Sequence, residues 1–344
     1  MYKENTLEKV SNDLLYYNVN IQGSKDPEGI INAEFRENRT VAILDDPSLF
    51  QISIVRFNIS GIYIPIFRWA TQFPESNEDP NLKVYFTFNN VVVSRNLTFF
   101  QKTNHFAPNL VRNIWNYTDF LTYLNIAIQE AFDEISLQAG FPATRAPSFY
   151  LDPVSRLISM FVQKSMDSNS GVKMAFSNLL YAYFPSFPIV EEEDLIPSKY
   201  LYYLDMYSTP LNNITYGGEE GYQIIQEFST IGLWNGVNKI LFESSTIPLN
   251  PELEQGTTDI VQRTIFDFTL DNDNINNRTE IFYNNTGGQR YADLMSNYPL
   301  KKLDLQISIL YRDGTVEPLR LNSLDHATCK FEFRKKIPTV QLLQ

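Results

Sequence analysis

Residues 303–334, which read LDLQISILYRDGTVEPLRLNSLDHATCKFEFR, contain the clearest fold signal in the chain. Apolar residues occupy every second position in two parts of this stretch: Leu303, Leu305, Ile307 and Ile309, then Ala327, Cys329, Phe331 and Phe333. Alternation of this kind is typical of strands with one buried face. The Asp313-Gly314 pair between them favours a hairpin turn, because glycine tolerates positive φ. We therefore expect three consecutive antiparallel strands, with one buried face formed by Leu305, Ile307, Ile309, Phe331 and Phe333.

Two earlier stretches show the same kind of pattern. Residues 51–59 read QISIVRFNI, and their apolar side chains change face at Val55, which predicts a bulge or a strand buried on both sides. Residues 82–88 alternate regularly, and the Asn89-Asn90 pair that follows predicts a turn into another strand. Along the whole chain these signals indicate about sixteen short strands, a number typical of sandwiches and barrels.

Residues 118–136 have a helical period instead. Phe120, Leu124, Ile128, Phe132 and Ile135 recur every three or four positions and form one apolar stripe. Asn116 or Thr118 is the predicted N-terminal cap, and Gly140 is the predicted end of the helix. The fold class is therefore all-β with a few inserted helices.

The segment 185–199 is the predicted boundary between two halves of the chain. It contains Pro185, Pro188 and Pro197 and the acidic run 191–194, which we interpret as a solvated loop, with a metal site as the alternative. The predicted organisation is an N-terminal arm at 1–30, a first β-barrel with the inserted helix at 31–190, a second β-barrel at 198–336 and a C-terminal tail at 337–344. The arm has few apolar residues, so we expect neighbouring subunits to order it.

Charge and composition exclude several classes of protein. The formal net charge is −12, and the N-terminal Lys3 and Lys9 are balanced by Glu4 and Glu8, so no direct sequence-specific contact with nucleic acid is expected. With a single cysteine, Cys329, no intrachain disulfide can form. The first residues lack the apolar core of a signal peptide, and no apolar run approaches 18 residues, so no transmembrane segment is predicted.

Residues suited to catalysis or ligand binding are few. His105 and His326 are far apart in sequence, and Cys329 falls on the inward face of a predicted strand, so no nucleophilic triad is indicated. The YGGEEG stretch at 216–221 lacks the lysine and hydroxyl of a phosphate-binding loop, and DNDNINN at 271–277 lacks the glycine and glutamate of a calcium loop. A carboxylate pair for glycoside hydrolysis is the one arrangement left open. We predict no catalytic, cofactor-binding or metal-binding residues, no cofactor and no enzymatic activity.

The ending LDLQISILYRDGTVEPLRL…ATCKFEFRKK resembles the closing strands of jelly-roll capsid proteins. These proteins form the double-jelly-roll lineage of tailless DNA viruses, with major capsid, vertex (penton) and minor capsid types. Residues 39–59, RTVAILDDPSLFQISIVRFNI, are similar to the early strands of such proteins. The resemblance implies two jelly rolls in one chain. It also implies a structural subunit of an icosahedral capsid that assembles with copies of itself, as a trimer or pentamer, and with other capsid proteins. Its location would be the virion, and the host cell interior during assembly.

A β-sandwich binding protein, for host attachment or carbohydrate binding, is the alternative function. Such a protein would stack aromatic side chains on sugars, but Trp69, Trp115 and Trp234 are spread along the chain and are better suited to a core or an interface. The Tyr-rich stretch 200–207 (YLYYLDMY) has more amphipathic surface than one strand needs, so part of it is expected at an interface.

Overall fold

The chain forms two compact units in a computed structural model. The barrel unit comprises Met1–Ile64 and Val237–Gln344, and the inserted unit comprises Pro65–Gly236. The structure describes residues 13–27, 29–61, 64–70, 78–99, 111–141, 143–152, 154–166, 170–196, 199–207, 212–234, 236–250, 263–270, 280–285 and 290–336. The inserted unit therefore interrupts the barrel unit in sequence, rather than following it.

The described part of the barrel unit contains twelve strands, numbered in chain order over both units. They are β1 (Leu14–Gln22), β2 (Ile31–Asn32), β3 (Glu34–Asn38), β4 (Phe50–Ser60), β16 (Val237–Glu243), β17 (Thr264–Thr269), β18 (Glu280–Asn284), β19 (Ala292–Asp293), β20 (Lys302–Tyr311), β21 (Val316–Pro318), β22 (Arg320–Leu321) and β23 (His326–Lys335). A 3-10 turn, Pro47–Leu49, precedes β4.

Two antiparallel five-stranded sheets make up most of the barrel unit. The first sheet has the order β1-β23-β4-β18, and β19 also pairs with β4. The second sheet has the order β17-β16-β20-β21, and β3 also pairs with β20. The chain moves repeatedly between the two sheets, and its first and last strands lie side by side. Two facing sheets connected in this way resemble those of a jelly roll.

The core of the barrel unit lies between these sheets. Phe57 of β4 packs against Phe242, Phe268 and Tyr283, at ring-centroid distances of 4.7, 5.1 and 5.2 Å. The side chains predicted to share one buried face, Leu305, Ile307, Ile309, Phe331 and Phe333, are all at most 2% exposed. They do not belong to one sheet, however, because β20 lies in the second sheet and β23 in the first. The predicted three-stranded sheet was therefore wrong in its third strand only: β20 pairs with β21 across the predicted turn at Asp313-Gly314, whereas β20 and β23 bury their apolar faces against one core from opposite sides.

The phase change at Val55 is a β-bulge, as predicted. Opposite β23, Ile54 pairs with Phe331 and Arg56 pairs with Lys330, so Val55 is the extra residue. A bulge places apolar residues on the core side both before and after it. Ile52, Ile54, Phe57 and Ile59 are accordingly all fully buried.

The described part of the inserted unit contains eleven strands and three helices. Its elements are β5 (Phe67–Ala70), β6 (Glu78–Phe88), β7 (Val91–Thr98), β8 (Val111–Ile114), α1 (Tyr117–Ala139), β9 (Ser148–Leu151), β10 (Ile158–Gln163), β11 (Lys173–Ser177), α2 (Asn178–Tyr181), β12 (Ile189–Ile196), β13 (Lys199–Leu204), β14 (Asn212–Tyr216), β15 (Glu219–Ile225) and α3 (Ile231–Trp234), with a 3-10 turn at Lys164–Met166. Its larger sheets have the orders β12-β13-β11-β6-β7 and β14-β15-β10-β9, and β5 pairs with β8.

Helix α1 lies where the sequence predicted it. Asn116 caps its start by accepting a hydrogen bond from the Asp119 backbone N–H at 2.7 Å, and Gly140 ends it with φ of 65°. The predicted apolar stripe is buried in the core of the inserted unit, together with strands β6 and β7. The predicted turn after β6 is also confirmed, since Asn89 and Asn90 both have positive φ. The chain is mainly β, as expected.

The division into units differs from the predicted one. The acidic run 191–194 lies within strand β12, which pairs with β13, and not in a loop between barrels. Residues 14–22, predicted as part of an N-terminal arm, form β1 and pair with β23 along their whole length. The strands expected to form a second barrel at 198–336 divide between the inserted unit and the barrel unit. The physical reason is long-range pairing, because β4 completes its sheet with β18 and β23 from the other end of the chain.

Candidate assembly surfaces

Of the histidine and cysteine residues considered for chemistry, the structure describes His326, at the surface, and Cys329, which is buried. His326 starts β23, and its Nε2 lies 3.9 Å from a carboxylate oxygen of Glu280 at the protein surface. Cys329 is 3% exposed, and burial raises the pKa of its thiol, which disfavours the reactive thiolate. His105 and the stretch 271–277 lie outside the described residues. Within the described ranges, no group of three or more His, Cys, Asp or Glu side chains is placed to hold a metal, and no helix is long and apolar enough to cross a membrane.

The glycines of the 216–221 stretch form a hairpin turn. Gly217 and Gly218 join β14 to β15 with φ of 60° and 86°, a conformation that favours glycine. Arg145 lies over the Tyr216 ring at 4.6 Å and donates a hydrogen bond to the Tyr216 carbonyl at 2.8 Å. The stretch is thus a structural turn, while its contact with Arg145 was not predicted because the two are distant in sequence.

Asp304 holds the loop that follows β16. Its carboxylate accepts hydrogen bonds from the hydroxyls of Ser244, Ser245 and Thr246 and from the backbone N–H groups of Ser245 and Thr246. Burial alone would raise the pKa of Asp304, but these hydrogen bonds outweigh burial and lower the pKa to about 2. The sequence placed Asp304 only as a polar residue between apolar ones, and its structural role depends on a loop 58–60 residues away.

One end of the barrel unit exposes apolar side chains. The segments 39–49 and 293–301 run together there, with Leu44 and Leu300 bridged, and β23 ends beside the start of β1. The exposed apolar residues along this end are Leu14, Leu15, Tyr16, Val41, Leu49, Met295 and Tyr298. Single exposed apolar residues are common, but a group of them at one end is typical of a surface that contacts another protein. We call these seven residues the apolar end.

Ion pairs border the apolar end. Lys335 lies 3.7 Å from Asp13, and Lys336 lies 3.6 Å from Asp293. A polar border around an apolar centre is the usual organisation of protein interfaces.

Charged side chains on the outer face of the first sheet contact residues of the same subunit. Lys330 lies 4.1 Å from the centroid of the Tyr16 ring, and Tyr291 donates a hydrogen bond to Glu332 at 2.7 Å. Glu332 is only 6% exposed, and Arg334 lies over the Tyr291 ring at 5.7 Å. The basic outward residues of β23 are therefore engaged in local contacts.

The tryptophan and tyrosine residues weighed for sugar binding differ in burial: Trp234 is a core residue, whereas Trp115 is half-buried. Trp234 is 1% exposed and donates from its indole N–H to the Tyr183 carbonyl at 2.8 Å. In the stretch 200–207, Tyr203 is buried, whereas Tyr200 is exposed. An interface role for this stretch stays a prediction that rests on Tyr200.

Comparison with known proteins agrees with a structural role. Residues 15–335 match the protein family described as Sputnik minor capsid protein V18/19. The uncharacterized protein V18 of Sputnik virophage is 30% identical over 158 residues, which cover 40% of this chain and 92% of that protein.

Two solved structures share the fold. A chain in the 3.5 Å cryo-EM structure of the Sputnik virophage has a TM-score of 0.77 at 24% identity, over 94% of this chain and 98% of that one. The crystal structure of the mavirus penton protein has a TM-score of 0.71 at 17% identity, over 94% of this chain and 100% of that one. The prediction of a capsid protein is confirmed by the family match, which covers most of the chain: this chain belongs to the family of the Sputnik minor capsid protein V18/19 and is a structural subunit of a virophage capsid, not an enzyme.

Proposed function

We propose that this subunit forms the five-fold vertices of the capsid, as a ring of five copies. The observation that carries the proposal is the arrangement of the chain as one jelly roll whose β4-to-β16 connection contains the whole inserted unit. A subunit with two similar barrels side by side suits a pseudo-hexagonal trimer. A subunit with one barrel and an elaborated second region suits a pentamer.

Strand order supports one jelly roll instead of two. The β12-β13-β11-β6-β7 sheet of the inserted unit contains two hairpins of consecutive strands and packs beside helix α1. The barrel unit instead pairs its first strand with its last. The structural similarity to the mavirus penton protein, whose name describes a vertex subunit, also supports this proposal.

A ring of identical subunits uses heterologous contacts, in which one patch of each copy meets a different patch of the next. The part of the apolar end formed by Val41, Leu49, Met295 and Tyr298 supplies one surface of the required kind, because it combines exposed apolar side chains with a bordering ion pair. These apolar side chains are exposed in the single chain, as expected for a surface that becomes buried on assembly.

The proposal is tested by native mass spectrometry of subunits released from particles, and by cryo-EM of the particles. We expect a species with five copies of the 39.8 kDa chain and density for the chain at the five-fold vertices. A three-copy species, or density on the capsid faces, would refute the vertex role and favour the trimer.

Carboxylates introduced at the apolar end make the test sharper. The double variant Met295→Glu with Tyr298→Glu should fold normally, since both side chains are exposed, but should assemble poorly. Leu324→Glu is the matched control, because Leu324 is also highly exposed but lies at the other end of the barrel strands, just before β23 begins. Equal assembly by both variants would exclude the apolar end as a contact surface.

A further inference from the structure

Strand β1 has an open edge. It lies at the end of the first sheet, and β23 is the one strand paired with it among the described residues, while the Tyr17 hydroxyl donates a hydrogen bond to Glu37 of β3. The pairing runs without a register shift from Leu14 to Gln22, opposite Arg334 to His326. Nine residues at about 3.3 Å each give an edge of about 30 Å. Backbone N–H and C=O groups on such an edge are available to pair with another strand.

The other sheet edges of the described chain are protected by charge, by short length or by a neighbouring element. The edge strand β12 contains four consecutive acidic residues, β17 and β18 each contain one acidic residue, and β3 contains three charged residues. The edge strand β7 contains Arg95 and packs beside helix α1, and β21 contains Glu317 and Pro318. The edge strands β9 and β14 are uncharged but only four and five residues long. Charge, proline and short length are the devices by which proteins prevent unwanted strand pairing.

β1 has none of these devices. Its sequence LLYYNVNIQ contains no charged residue and no proline, and Leu14, Leu15 and Tyr16 are 46%, 37% and 45% exposed. From Asn18 onward the exposed positions are polar. A strand added to this edge would therefore need apolar side chains beside Leu14, Leu15 and Tyr16 and uncharged polar side chains beside Asn18, Asn20 and Gln22.

A second copy of β1 is a poor partner. In an antiparallel β1–β1 pair, Leu14 would lie opposite Gln22, and Tyr16 opposite Asn20, so the apolar half would face the polar half. Such a pair also has two-fold symmetry, which a five-membered ring does not use. No other described edge strand of this chain is both uncharged and as long as β1.

We infer that β1 is completed in the assembled capsid by strand addition: an extended, uncharged segment of a different shell subunit pairs with its open edge. The segment is apolar at the Leu14 end and polar at the Gln22 end. Backbone hydrogen bonds supply much of the contact, and the exposed side chains select the segment. This inference rests on the established capsid role and, for the choice of partner, on the proposed ring.

Hydrogen–deuterium exchange measures the pairing directly. Peptides that span residues 13–22 are compared between isolated rings and intact particles. About half of the β1 amides point away from β23, and these should exchange at least about tenfold more slowly in particles than in rings. Equal exchange in both would overturn the inference. Full protection already in isolated rings would also overturn it, because the added strand would then come from a second copy of this chain.

Substitutions provide an independent test. The double variant Asn18→Lys with Asn20→Lys adds charge to an exposed part of the edge, whereas Asn284→Lys adds a charge to the exposed end of β18, on the opposite edge of the same sheet. The β1 variant should form normal rings but enter particles about tenfold less, which corresponds to about 1.4 kcal/mol of lost contact. The Asn284 variant should enter particles normally, and equal incorporation of both variants would contradict strand addition. If the unaltered chain formed no rings at all, the vertex proposal would fail, and the β1 amides would instead be compared between the isolated subunit and particles, where unchanged exchange would overturn strand addition.

Discussion

The two units of this chain are stabilised by contacts of different range. In the barrel unit, β1 pairs with β23 in the first sheet and β3 pairs with β20 in the second, so each sheet joins residues more than two hundred positions apart. In the inserted unit, consecutive hairpins such as β6–β7 and β14–β15 pair locally and pack with helix α1. Contacts between distant residues form late, because the loop they close costs entropy before the contact gives stability. The comparison teaches that the barrel depends on both ends of the chain, whereas the inserted unit can form from one continuous segment.

The largest effect is expected in the barrel core. Phe331→Ala should lower the free energy of unfolding by about 3–5 kcal/mol, because Phe331 is fully buried between the sheets. Phe282→Ala is the matched control, since Phe282 lies in the same sheet but is 56% exposed. Urea unfolding of both variants measures the difference, and equal stability would show that Phe331 is not part of the core.

A similar loss is expected in the core of the inserted unit. Phe120 of α1 is fully buried, with ring centroids 4.7 Å from Trp234 and 4.9 Å from Phe67. Phe120→Ala should cost about 3–5 kcal/mol, while Leu137→Ala on the exposed face of the same helix should cost little. If the inserted unit forms from its own segment, Phe120→Ala should increase amide exchange in 65–236 before it does so in β1 and β23. Simultaneous loss of protection in both units would contradict their independence.

A moderate effect is expected at Asp304. Asp304→Asn removes a charged acceptor of several hydrogen bonds and should cost about 1.5–3 kcal/mol at neutral pH, compared with little for the exposed Asp45→Asn. Because the pKa of Asp304 is lowered from 3.8 to about 2 in the folded state, its stabilisation is present above about pH 4 and is lost as the pH falls toward 2. When the melting temperature is measured as the pH is lowered over that range, the melting temperature of the variant should therefore fall less than that of the unaltered chain. Parallel curves would contradict the assigned role.

The smallest effect is expected at the start of α1. Asn116→Ala removes the side-chain cap that binds the Asp119 N–H and should cost about 0.5–2 kcal/mol. Thr118→Ala is the control, because Thr118 was the other residue predicted as a possible N-terminal cap. This variant should change the free energy of unfolding by less than about 0.5 kcal/mol. Thermal melts of the two variants decide between them, and a larger effect for Thr118 would reverse the assignment.

Local patterns in the sequence predicted individual elements well. The helical stripe around Phe120, the bulge at Val55 and the turn at Asn89-Asn90 all depend on residues within a few positions of one another. The absence of a catalytic site stays a prediction, which followed from the few histidine and cysteine residues in the sequence.

These local patterns did not predict which strands pair with one another. The alternation in β20 and β23 predicted two half-buried strands correctly, but not that they lie in opposite sheets. The sequence LLYYNVNIQ has an apolar or aromatic residue at every second position: Leu15, Tyr17, Val19 and Ile21. This pattern is typical of a strand, but it was overlooked because the residues around it are polar. The Asp304 cluster had no local signal, because its hydrogen-bond donors lie in another loop.

The sequence by itself determined that this chain is β-rich, acidic and poor in histidine and cysteine, and it determined where its main helix lies. Side-chain periodicity and local turn chemistry specify such features without reference to distant residues. Only the tertiary structure decided that β1 and β4 complete their sheet with strands from the far end of the chain, that the inserted unit interrupts one barrel, and that one sheet edge is left open. The physical reason is that a strand's pattern specifies which face is buried, while its backbone hydrogen bonds are equally able to pair with any strand in reach.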